Sequence, residues 1–87
     1  MSDDSLFEFP CSFPIKIMGK DTADFHQAVH TIINKHVNNI TDDAFKTRSS
    51  AQGTYISITV TITATDKQQL DNIYLDLTAC EHVTMSL

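Results

Sequence analysis

The sequence predicts an α+β domain of order β-α-β-β-α-β, with a four-stranded antiparallel sheet and two helices on one face. Three observations carry this prediction. Tyr55 to Ala64 (YISITVTITA) alternates strictly: Ile56, Ile58, Val60, Ile62 and Ala64 are apolar, and every residue from Tyr55 to Thr63 between them carries a hydroxyl. Ten alternating residues rich in β-branched types make a strand with one buried and one open face, its register held by the cost of exposing the apolar set. Two other stretches, near residues 22–37 and 67–79, repeat their apolar residues at helical spacing. Shorter alternating segments stand before, between and after them.

Composition sets bounds on this reading. Eighty-seven residues with 41% hydrophobic content make one small globular domain, which buries roughly 60–65% of its unfolded surface. Eleven acids against six bases give a net charge of −5, which disfavours nonspecific binding to nucleic acid or to an anionic membrane. No apolar run is long enough to span a bilayer, and the opening MSDDS lacks the basic and apolar regions of a secretory signal. Cys11 and Cys80 form no CxxC pair, so two reduced thiols and a cytoplasmic location are expected.

Taken in order, residues 1–9 read as an acidic tail whose aromatic end packs on the domain formed by residues 10–87. Pro10 and Pro14 discourage helix. Phe13, Ile15 and Ile17 then alternate with Pro14, Lys16 and Met18 as strand one, which Gly19 is expected to end in a tight turn. Asp21 or Thr22 caps a helix to about Val37, with Phe25, Ala28, Val29, Ile32, Ile33 and Val37 as its apolar stripe. NNITDD is a polar loop. Ala44 to Ser49 is strand two, with Phe45 and Thr47 inward and Lys46 and Arg48 outward. Residues 50–53 turn it back into strand three.

Thr65 and Gln68 fit a capping box for a helix over about Lys67 to Ala79. Leu70, Ile73, Tyr74 and Leu77 form its stripe, and Leu75 falls about 140° away at ~100° per residue. Strand four is expected to turn Val83, Met85 and Leu87 inward and His82, Thr84 and Ser86 outward. Both crossovers are expected to be right-handed, with both helices on one side of the sheet. The simplest solution is a ferredoxin-like sandwich with strand three central.

Phe7 to Gly19 (FEFPCSFPIKIMG), Ser49 to Ala64 (SSAQGTYISITVTITA) and the ending VTMSL resemble the YbeD-like family of small uncharacterised bacterial proteins. The resemblance covers nearly the whole chain. It implies a ferredoxin-like domain similar to ACT regulatory domains, with no catalytic residues to carry over, and by the label of some members a link to lipoate metabolism. His26, His30 and the exposed Leu75 depart from what the family leads one to expect.

Few residues read as chemical machinery. His26 and His30 share a helix face at a spacing that can offer two imidazoles to a metal, but two ligands are not a site and no HExxH glutamate accompanies them, so no metal is expected. His36 suits a helix C-terminus, and His82 a strand edge. Cys11 has no neighbouring cation and reads as structural. Gly19 and Gly53 build no phosphate loop, and paired carboxylates for acid–base work are missing, so neither an enzyme nor a cofactor is expected.

The open sheet face gathers Lys16, Lys46 and Arg48 with Ser57, Thr59, Thr61 and Thr84. A solvated face is its plain reading. Its functional readings are a small anionic metabolite, a protein partner or a weak homodimer. ACT domains bind ligands near the turn after strand one, where Gly19 stands. The sequence therefore points to a non-enzymatic regulatory or small-ligand-binding module, or alternatively to a protein–protein adaptor without a ligand. RNA binding on the sheet is a third class, disfavoured because only Tyr55 offers a stacking ring and the net charge opposes it.

Overall fold

The computed structural model describes residues 8–87. Its elements are β1 (Cys11–Lys20), α1 (Ala23–His36), β2 (Phe45–Ser49), β3 (Tyr55–Ala64), α2 (Lys67–Ala79) and β4 (Met85–Ser86), with a short 3₁₀ turn at Asp42–Ala44. The strands pair antiparallel in the order β2-β3-β1-β4. The predicted α+β sandwich is therefore the observed one, and β3 lies inside the sheet as expected. Of the predicted tail, residues 1–7 lie outside the described residues, and Phe9 packs against the core.

Alternation places the core. Ile15 and Ile17 of β1 and Ile56, Ile58, Val60, Ile62 and Ala64 of β3 are buried on the helix side. Phe25, Val29, Ile33 and Val37 meet them from the first helical segment, and Leu70, Ile73 and Leu77 from the second. Each large side chain removed from water contributes about 1.5–3 kcal/mol, so this one layer dominates the stability of the domain. No polar or charged residue among those described is buried.

The helix ends follow local chemistry. Thr22 caps α1 by accepting from the Phe25 amide at 3.1 Å. At α2 the cap is Asp66, one residue later than the sequence reading, with its carboxylate accepting from the Gln69 amide at 2.7 Å. Gln69 then accepts from the Thr65 amide and donates to the His36 carbonyl, joining both helices. Thr65 and Gln68 do not form the expected box because Asp66 binds the first-turn amide itself.

Three further expectations are corrected. Gly19 does not end β1; it is buried one residue before the strand's last residue, without positive φ. A Cβ there would lie 2.5 Å from the His82 carbonyl oxygen and 2.6 Å from Phe25 Cε1, so close approach and not turning explains the glycine. Thr47 faces the helix side, opposite Ile58, yet is exposed, because the helices lie over β1, β3 and β4 and leave most of β2 uncovered.

The third correction concerns β4. Met85 pairs with Met18 and Ser86 with Ile17, so Met85 and Leu87 project from the open face and Ser86 toward the core side. Val83 nevertheless packs on the core. Residues 83 and 86 can share a side only if one extra residue intervenes. The Thr84 amide donates to the Met18 carbonyl at 2.8 Å, so Thr84 and Met85 together oppose Met18 as a β-bulge.

Candidate functional site

The uncovered side of the sheet is built from the residues that alternation turns away from the helices. Register aligns them in rows across the strands. Lys16 lies opposite Thr59, and Thr59 opposite Lys46; Met18 lies opposite Ser57, and Ser57 opposite Arg48. Leu87 extends the first row, exchanging both backbone hydrogen bonds with Lys16 at 2.8 and 3.1 Å, and Met85 extends the second. Pro14 opposite Thr61 and Lys20 opposite Tyr55 complete the face. A shallow hollow of about 200 Å³ opens beside Lys16, Met18, Arg48, Ser50, Tyr55 and Ser57.

The columns along the strands differ in chemistry. β4 and the adjoining part of β1 carry Met85, Leu87 and Met18, while β3 carries hydroxyls and β2 carries Lys46 and Arg48. Large apolar residues are well exposed here: Met85 at 49%, Leu87 at 63% and Tyr55 at 45%. Pro14 has no amide to donate, and its alternation with Lys16 aims that missing donor at the part of the β1 edge that short β4 leaves open. This placement blunts the edge against strand addition.

Charge is segregated between the two sides. Four of the six basic residues, Lys16, Lys20, Lys46 and Arg48, project from the open face, and none of the described strand residues on that face is acidic. Among the described residues, no carboxylate lies within ion-pair distance of these four. The remaining two cations are neutralised on the helices, Lys35 by Asp76 and Lys67 by Asp71, each at 3.2 Å. Asp43 lies below the ordinary aspartate value, first through the Thr41 hydroxyl and its own amide, with Lys46 adding a weaker attraction.

Six sequence-predicted site residues, Lys16, Lys46, Arg48, Ser57, Thr59 and Thr61, do share this face. Gly19 does not, because it is buried on the opposite side. Thr84 lies at the sheet end, in a hollow with Lys20, Thr22, Glu81 and His82. Alternation in the sequence turns Met85 and Leu87 inward, and only the bulge brings them to the open face. Lys20 and Tyr55 follow from continuing the alternation of β1 and β3 to their ends.

The histidines take separate structural roles. His26 contacts Asp21 at 2.9 Å, whereas His30 stacks on Phe45 with ring centroids 3.9 Å apart and planes 21° apart. Asp76 accepts from His36 Nε2 at 2.6 Å, and this bond, then that of Lys35, holds its carboxyl below the usual range. Burial pushes the Tyr74 phenol up. Cys11 and Cys80 are both free and half-buried. A cleft of about 450 Å³ beyond the end of α1 is lined by His36 and neutral groups including Asn38, Thr63 and Gln69. Among the described residues, no group of three metal-ligating side chains comes together, and no helix is long and apolar enough to cross a membrane.

A family described as "Protein of unknown function (DUF493)" matches residues 4–87. The chain belongs to it. This is the YbeD-like family that the sequence motifs resemble. A UPF0250 protein of Nitrosomonas europaea, NE1487, is 45% identical over 87 residues, covering all of both chains. A UPF0250 protein of Chromobacterium violaceum is 44% identical over 89 residues, again covering both completely. The solution structure of HP0495 from H. pylori matches with a TM-score of 0.68 at 16% identity, covering 100% of this chain and 94% of that one. At that identity the likeness speaks for the fold alone.

Proposed function

We propose that the protein is a non-enzymatic, cytoplasmic binding module of regulatory type, and that its open sheet face takes up an anionic partner. The observation that carries this reading is the separation of charge: an acidic domain holds four basic residues on one uncovered face with no described carboxylate within ion-pair distance of them. Unpaired cations on one face focus potential and favour encounter with negative groups, even when the net charge is negative. The hydroxyls of Thr59 and Thr61 supply neutral donors between the cationic columns, while that of Ser57 donates to the Arg48 carbonyl at 3.4 Å. The non-enzymatic reading rests on the solvated setting of the titratable groups, since a catalytic acid or base usually needs burial or a charged neighbour to tune it.

A protein adaptor that needs no small ligand is the second reading. Exposed Met85 and Leu87, with half-buried Met18 beside them, favour it, because a small anion leaves such side chains in water. The test is capture from the cytosol of the source bacterium with wild type and with a Lys16→Glu/Arg48→Glu variant, identifying bound proteins and small molecules by mass spectrometry. A species retained by wild type and lost by the variant supports the open face as the binding surface. Identical profiles overturn it.

A further inference from the structure

The apolar and cationic side chains of the open face stand in parallel columns at opposite edges of the sheet. Met85 and Leu87, with Met18 beside them, lie at the β4 edge, and Lys46 and Arg48 lie on β2. Lys16 stands between them on β1. Three strand spacings separate β4 from β2, roughly 14 Å. An α-helix with side chains is about 10–12 Å across, so one helix laid along the strands beside β4 comes within reach of the long Lys46 and Arg48 side chains on β2.

We infer that this face docks one amphipathic α-helix of an acidic partner protein, with its apolar stripe on Met18, Met85 and Leu87 and its carboxylates toward Lys46 and Arg48. The inference rests on the open-face reading above and specifies the partner. Other occupants fit the columns less well. An extended peptide presents one narrow row of side chains to the sheet and covers one column only. A small anion meets the cations and leaves the apolar column wet. A second copy placed face to face brings two sets of four unpaired cations together. The α2 helix of a second copy offers Leu75 as its one well-exposed large apolar residue, beside an Asp71 already paired with Lys67.

The experiment uses two helix-stabilised synthetic peptides of about 14 residues, ~21 Å long at 1.5 Å per residue. One carries adjacent stripes of Leu and Glu. The other has the same composition reordered so that no stripe forms. Both are titrated into the full-length chain and followed by amide chemical shifts. The striped peptide is expected to bind about tenfold tighter than the reordered one, with shifts confined to the open face. Lys46→Glu/Arg48→Glu and Met85→Ser/Leu87→Ser are each expected to reduce that affinity about tenfold. These side chains are exposed, so the variants keep their fold, which the unperturbed spectrum verifies. Equal affinity of the two peptides at this face overturns the helix inference and leaves the anion-binding reading standing. Shifts elsewhere, or none with either peptide, overturn both.

Discussion

Gly19 illustrates how much a single residue can fix. Its missing side chain lets β1 pass directly under the His82 carbonyl and the Phe25 ring. Gly19→Ala places a methyl group where backbone already stands, and overpacking of this kind costs about 1–3 kcal/mol. Urea unfolding should therefore show a lower midpoint at unchanged slope; an unaltered midpoint would mean that the segment at His82 moves aside freely. Asp76 gives a second residue-scale prediction. His36 and then Lys35 lower its pKa below 3.8 in the folded state. Folding is thus favoured by its ionised form, and that contribution is present above pH 3.8 and lost as pH falls through the lowered folded value. Asp76→Asn should be less stable than wild type at neutral pH, and the difference should shrink as pH falls below 3.8 and vanish below the lowered folded value. A constant difference across this range would show that packing, not charge, holds the contact.

At the scale of elements, the two faces of β3 should respond oppositely to one charge. Val60 is fully buried, and Thr59 beside it looks outward between Lys16 and Lys46. Val60→Asp buries an unpaired carboxylate at several kcal/mol, enough to abolish cooperative folding in a domain of this size. Thr59→Asp should change stability by no more than about 0.5 kcal/mol. Thermal melts followed by circular dichroism decide the matter, and a cooperatively folded Val60→Asp protein would contradict the register. The alternation of β3 was legible because ten residues repeat one rule without interruption. The two-residue β4 gives no such redundancy. Its bulge at Thr84 and Met85 arises from hydrogen bonding to Met18, a partner more than sixty positions away, so local alternation turns Met85 and Leu87 to the wrong side.

For the whole molecule, segregated charge makes the salt dependence of association informative. An acidic partner on the open face is attracted by Lys16, Lys20, Lys46 and Arg48, so its binding should weaken as salt is raised. Pairing of two such faces opposes like charges, so a homodimer through the sheet should instead strengthen with salt. Sedimentation velocity at low and high ionic strength separates the cases. Self-association that weakens with salt would point to contacts between unlike faces of two copies, such as the α2 surface around Leu75.

The sequence by itself determined the order of elements, the span of α2, the buried side of β1 and β3, and the gathering of Lys16, Lys46, Arg48, Ser57, Thr59 and Thr61 on one face. These follow from periodicity, a local property that each long segment states repeatedly. Only the tertiary structure decided why residue 19 is glycine, which histidines find partners, and that Met85 and Leu87 join the cations on the open face. Those outcomes depend on which backbone lies against which across the sheet, and no spacing within a single segment encodes that distance.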